Sequence, residues 1–77
     1  MTTIARIKSV HAAAVVHEQA AFAFRQQAFA AYEASLEASL DRVPDPVASA
    51  LYDAGRNAHV AAYEALHALD KLIAVIA

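Results

Sequence analysis

One unbroken apolar repeat in the C-terminal half constrains this chain more than any other feature. Its nine members recur at alternating spacings of four and three residues: Val47, Leu51, Ala54, Ala58, Ala61, Ala65, Ala68, Leu72 and Val75. This spacing places them on one stripe of an α-helix, about four heptads long. The middle five are alanine, whose small side chain lets a partner helix approach closely. We call this stripe the alanine strip; it predicts a long helix packed against another helix.

The two prolines of the chain divide the sequence into two helical segments. Pro44 disfavours helical conformation at Val43 and so ends the first helix. Asp45 is a good N-cap, and Pro46 suits the first helical position, where no N–H is required. The predicted single domain covers 1–77, with helix 1 at about 3–42, a turn at 43–45 and helix 2 at about 46–76. So short a connection makes the helices antiparallel neighbours, which gives an all-α hairpin.

The first helix has two apolar faces instead of one. The face of small residues matches the alanine strip and is expected inside the hairpin: Val10, Ala13, His17, Ala20, Phe24, Ala28, Ala31, Ser35 and Ala38. The other, which we call the aromatic strip, recurs every seven residues as Val15, Phe22, Phe29 and Leu36. One partner helix cannot cover both faces, and an exposed apolar stripe is typical of an interface. We therefore predict a four-helix bundle or larger homo-oligomer.

Polar residues with the same heptad spacing border the aromatic strip. If two copies of helix 1 pack antiparallel about a twofold axis near residues 21 and 22, Glu18 meets Arg25 of the partner subunit. The alternative is that Arg25 reaches Glu64 within its own hairpin. The predicted oligomer interface consists of Val15, Glu18, Phe22, Arg25, Phe29, Tyr32 and Leu36.

The side of helix 2 opposite the alanine strip is rich in aromatic and basic residues. The candidate ligand or partner face consists of Tyr52, Arg56, His59, Tyr63 and His67. Tyr and Arg are frequent in interfaces, and they also suit a planar anion through charge and stacking. Two hypotheses follow, a protein partner or a small nucleotide-like ligand held between hairpins. The alternative is an ordinary solvated helix face.

A metal site is a third hypothesis. Glu64 and His67 have the E-x-x-H spacing of ferritin-like bundles, and Glu18 of helix 1 could complete a site in a dimer. The chain contains no Cys, so thiolate sites and disulfides are excluded. Its serines have no matched His and Asp for nucleophilic catalysis, and its single glycine excludes a phosphate-binding glycine loop. We therefore predict a protein that is not an enzyme and has no cofactor.

Composition narrows the class of partner. The net charge is −2, and the six Lys and Arg residues form no basic stripe, so nucleic acid is an unfavourable partner. No apolar run approaches the length of a transmembrane helix, and a cytoplasmic protein from a bacterium or phage is expected. The leading prediction is a non-enzymatic, self-assembling helical hairpin that acts as a structural, adaptor, or small regulatory or inhibitory protein.

Overall fold

The computed structural model describes residues 2–76 as two long helices, α1 at Thr3–Ala38 and α2 at Pro46–Ile76. Contacts between Phe22 and His59 and between Phe29 and Tyr52 show that the helices run antiparallel. The hairpin measures 59 × 17 × 13 Å, and its described part contains no strand. Neither helix, over the residues described, has a stretch long and apolar enough to cross a membrane. The predicted two-helix hairpin is confirmed.

Both helices begin at side-chain caps. The Thr2 hydroxyl accepts a hydrogen bond from the Ala5 N–H at 3.1 Å. The Asp45 carboxylate accepts one from the Ala48 N–H at 3.3 Å, with Pro46 as the first helical residue of α2. Each cap satisfies one of the N–H groups that the first turn of a helix leaves without a partner. The predicted start of helix 2 is confirmed.

Helix α1 ends at Ala38, four residues before its predicted end near Arg42. Ser39 leaves the helix with an extended backbone, and its carbonyl and hydroxyl accept hydrogen bonds from the N–H groups of Arg42 and Val43. Arg42 has a φ of 54°, in the left-handed region, which closes the turn. A serine offers the backbone an alternative to the helical hydrogen-bond pattern, so the helix stops at Ser39 and not at the proline.

The alanine strip does not lie between the two helices, contrary to the sequence prediction. All nine of its residues are exposed. The small face predicted on α1 is also exposed, apart from Ala28 and Ser35. The interhelical seam is instead formed on α1 by Ile7, His11, Ala14, Glu18, Ala21, Arg25, Ala28, Tyr32 and Ser35, and on α2 by Ala48, Tyr52, Gly55, His59, Ala62, Leu66, Leu69 and Ile73.

The close approach of the two backbones explains this register. A Cβ atom built on Gly55 would lie 3.2 Å from the Cα of Arg25 and 3.3 Å from the Phe24 ring. Ala21, Ala28 and other small residues continue this close contact along the seam. A seam that includes glycine permits a shorter distance between the helix backbones than the alanine strip would. The polar residues beside this seam also bond to side chains of the opposite helix. Apolarity alone therefore predicted the wrong face.

One hairpin leaves an unusually large surface exposed. It has 5507 Å² of accessible surface, whereas a compact monomer of 8.2 kDa is expected to have about 4,500 Å². Its radius of gyration is 17.3 Å, against about 11–12 Å for a compact domain of this length. The buried apolar residues of the described chain are alanines, and none of its large side chains is fully buried. Much of the apolar surface thus remains in contact with solvent.

The close packing at Gly55 gives a test of the observed register. We expect Gly55→Leu to lower the free energy of unfolding by about 1–3 kcal/mol, because the new side chain must fit between two backbones. Asn57→Leu, two residues away at an exposed position, should change it by less than about 0.5 kcal/mol. Urea unfolding followed by circular dichroism measures both variants. Equal stabilities would show that Gly55 does not lie in the seam.

Candidate functional site

A polar network of three side chains lies at the middle of the interhelical seam. His59 of α2 is placed between Glu18 and Arg25 of α1, which are two helical turns apart. Its Nε2 is 2.8 Å from Glu18 Oε1, and its Nδ1 is 3.0 Å from Arg25 Nη1. The side chains of His59 and Glu18 are only 14% and 22% exposed. Partial burial makes these hydrogen bonds stronger than they would be in water.

The two contacts of His59 fit one assignment of its ring hydrogen bonds. A guanidinium can only donate hydrogen bonds, so Arg25 requires Nδ1 of His59 to be an acceptor. The ring proton must then be on Nε2, from which it is donated to the Glu18 carboxylate. Both ring nitrogens of His59 are thus occupied. With no free nitrogen, the imidazole cannot act as a general base in this arrangement.

Aromatic rings surround the network on one side of the hairpin. Phe22 lies 5.2 Å from the His59 ring, and Phe29 and Tyr32 each lie 5.4 Å from the Tyr52 ring, measured between centroids. An open groove of about 420 Å³ runs between them, lined by Phe22, Arg25, Gln26, Phe29 and Tyr52. We call it the aromatic groove. It could accommodate an apolar or aromatic group, with a guanidinium at its edge.

The predicted oligomer-interface residues divide into two sets. Glu18, Arg25 and Tyr32 contact α2 of their own chain, and Arg25 bonds to His59 and not to Glu64. The aromatic strip flanks the seam: its two Phe residues are exposed, whereas Val15 and Leu36 are partly buried. Pairing of Glu18 with Arg25 between subunits would compete with these contacts within the chain. The role of the seven residues in an oligomer stays a prediction.

The five residues of the candidate ligand or partner face lie in different environments. Tyr52 and His59 turn into the seam. Arg56 is 3.5 Å from the Asp53 carboxylate, and both side chains are largely exposed. The hydroxyl of Tyr63 and Nε2 of His67 are 2.9 Å apart, and their rings meet edge-on. His59 and Tyr63 line one open groove, and Tyr63 and His67 line the next. The role of the five residues stays a prediction.

The structure also separates the residues of the hypothetical metal site. Glu18 bonds to His59 in the seam, whereas Glu64 and His67 line a shallow groove beside Tyr63. No group of three or more His, Asp or Glu among the described residues could hold a metal ion. A single hairpin therefore gives no support to a site built from these three residues.

The alanine strip faces solvent over its whole length, from Val47, 73% exposed, to Val75, 81% exposed. On α1, heptad spacing places Val10, His17, Phe24 and Ala31 on the flank opposite the aromatic strip. In an antiparallel pair this flank and the alanine strip lie on the same side of the hairpin. The ring of Phe24 lies against Gly55 at this boundary. Together they form one broad apolar side, which we call the alanine side.

The site combines open grooves with a partly buried imidazole. The partly buried imidazole has both nitrogens occupied, and the grooves are open and shallow. Sequence reasoning found the alanine strip and the Phe pair but not the network of Glu18, Arg25 and His59. The sequence does contain a signal for this network, because Glu18 and Arg25 lie at the heptad spacing of the α1 seam and His59 lies at that of the α2 seam. Comparisons with models of protein families, with curated proteins and with solved structures found no match for this chain.

The network should contribute measurably to stability. We expect Glu18→Ala to lower the free energy of unfolding by about 1–2 kcal/mol, because it removes an acceptor from a partly buried His59. Glu18→Gln keeps an acceptor and should lose less. Glu33→Ala, at an exposed position on the same helix, is the matched control. Urea unfolding at pH 7.5 compares the three variants, and equal losses for Glu18→Ala and Glu33→Ala would contradict a stabilising network.

Proposed function

We propose that this chain is a self-assembling helical hairpin that acts, as an oligomer in the cytoplasm, as a structural, adaptor or small regulatory interaction protein. The observation that carries the proposal is the large apolar surface of the single hairpin. Residues as large as Val10, Phe22, Phe29, Leu51 and Leu72 remain at least 40% exposed. Such continuous apolar surface on a small domain marks an interaction site.

The energetics of the hairpin favour association. Full burial of one large apolar side chain contributes about 1.5–3 kcal/mol, yet none is fully buried in the described chain. The buried residues of the seam are instead alanines and Gly55, and its larger apolar residues Ile7, Leu66, Leu69 and Ile73 are only partly buried. Without cysteine, the chain cannot gain stability from disulfides. Association that covers exposed apolar residues supplies the missing stabilisation.

Both sides of the hairpin offer surface for association. The alanine side contains no charged residue in its nine-membered strip, so its burial leaves no charge without a partner. The other side presents Phe22 and Phe29 at the rim of the aromatic groove. Both sides are compatible with the four-helix bundle or larger assembly that the proposal requires.

Concentration-dependent stability tests the proposal. We expect native mass spectrometry to show a dimer or larger oligomer, and the melting temperature to rise with protein concentration, because dissociation accompanies unfolding. Circular dichroism from about 1 to 100 μM follows the transition. A monomer whose melting temperature is independent of concentration would overturn self-assembly.

Three charge variants identify the surface responsible. Ala61→Glu places a charge in the alanine strip, Phe29→Glu places one on the aromatic strip, and Asn57→Glu adds the same charge at an exposed control position. One or both of the first two should dissociate the oligomer, whereas the control should not. Circular dichroism establishes that each variant keeps its helices. An unchanged oligomer in all three would contradict both surfaces.

The aromatic groove favours a second candidate function, which is binding of a small aromatic anion. Its three aromatic rings offer stacking surface, and Arg25 supplies positive charge at its edge. We expect the fluorescent probe 8-anilinonaphthalene-1-sulfonate to bind there, with affinity reduced about tenfold or more by Tyr52→Ala. Tyr63→Ala, outside this groove, is the control. Equal affinities for the two variants would exclude the groove as the binding site.

A further inference from the structure

The alanine strip has the same order of residue types in both directions. From Val47 to Val75 it consists of valine, leucine, five alanines, leucine and valine, with Ala61 at its centre. All of these residues are exposed on α2. Packing against α1 of the same chain does not require this symmetry, because α1 contacts a different stripe of α2.

We propose that the alanine strip binds the alanine strip of a second copy, with the two α2 helices antiparallel about a twofold axis at Ala61. This inference rests on the proposed function and specifies its partner and geometry. In a twofold interface, if one residue contacts a second, the second also contacts the first in the other copy. Val47 would then face the partner's Val75, and Ala54 would face the partner's Ala68. Val47 and Val75, like Ala54 and Ala68, are equidistant from Ala61, and the Leu51/Leu72 and Ala58/Ala65 pairs meet the condition to within one residue.

The sizes of the side chains suit such a crossing. Two packed helices cross at an angle, commonly about 20°, so they are closest at the crossing point and diverge towards their ends. The strip has its smallest residues around Ala61 and its larger ones at both ends. Alanine allows close contact at the centre, and leucine and valine fill the wider gaps. Side-chain size along the strip therefore increases with the distance that would separate two crossing α2 helices.

Helix α1 extends the same contact. The packing of Phe22 on His59 places Ala20 approximately level with Ala61. The axis that relates two α2 helices at Ala61 therefore also relates two α1 helices near Ala20. His17 would then face the partner's Phe24, and Val10 the partner's Ala31. The result is a four-helix bundle in which the alanine sides of both hairpins are covered.

The available area is sufficient for a stable dimer. The hairpin measures 59 Å by 17 Å, so one broad side has a footprint of about 1,000 Å² per copy. A standard stable interface buries about 800 Å² per partner. The alanine strip itself contains no charged residue, so a second copy would meet no like charge within the strip. This arrangement leaves the aromatic groove on the outside of the bundle.

Cysteine cross-linking tests the twofold axis, because the natural chain has no cysteine. We expect Ala61→Cys to form a disulfide with its own copy in a glutathione redox buffer, since residues on the axis lie within disulfide distance. Asn57→Cys, at an exposed position outside the strip, should cross-link at least tenfold more slowly. Non-reducing gel electrophoresis and mass spectrometry measure the rates.

A second pair of variants tests the antiparallel direction. Ala54 lies two heptads from its proposed contact at Ala68, so two copies of Ala54 would be about 21 Å apart along the axis. Ala54→Cys alone should therefore cross-link slowly, whereas a mixture of Ala54→Cys and Ala68→Cys should give the mixed disulfide rapidly. Each substitution is at an exposed alanine and should leave the hairpin intact.

The outcomes separate this inference from the proposed function. If Ala54→Cys cross-links with itself as fast as Ala61→Cys does, the helices pair in parallel and the inference is wrong. If the native protein is an oligomer but Ala61→Cys reacts no faster than Asn57→Cys, assembly uses another surface; the proposed function then stands and the inference fails. A monomeric native protein would overturn both.

Discussion

The short distance between the two helix backbones at Gly55 is the constraint on which the rest of the structure depends. There a Cβ atom would lie 3.2 Å from the Cα of Arg25, so the seam accepts only the smallest residues at this point. This close approach turns the polar residues of α1 that recur every seven residues, including Glu18 and Arg25, towards α2. It thereby brings His59 between Glu18 and Arg25. It also turns the alanine strip to solvent, which creates the surface that we propose for assembly.

The two helices, their antiparallel arrangement and the N-cap of α2 could be predicted from the sequence, because prolines, caps and heptad spacing are local signals. The orientation of the helices about their own axes could not. Two neighbouring heptad patterns on α2 compete for the seam, and the more apolar one is exposed. Choosing between them requires knowing that Gly55 meets a backbone and that His59 finds two partners on α1. Neither interaction is visible in the hydrophobicity of α2.

In the candidate site, the exposure of the Phe pair could be predicted from the sequence, whereas the partners of Glu18 and Arg25 could not. The Phe pair was identified as exposed because its residues lie at strict heptad spacing beside a polar boundary, and both are exposed in the structure. Glu18 and Arg25 were assigned to contacts between subunits because their charges are complementary across a hypothetical axis. Within the chain, the single imidazole of His59 joins them. Charge complementarity between Glu18 and Arg25 did not identify His59 as the residue that joins them.

The contacts of His59 have a consequence for the geometry of any assembly. A slip of one heptad between α1 and α2 would move the imidazole out of its place between Glu18 and Arg25, so that it could contact at most one of the two. The network therefore penalises sliding and keeps Ala20 level with Ala61. In the dimer that we propose, this alignment allows one twofold axis to relate both pairs of helices. Glu18, Arg25 and His59 can therefore influence the binding of a second copy without contacting it. They fix the alignment of α1 with α2, and this alignment determines whether one twofold axis suits both helices.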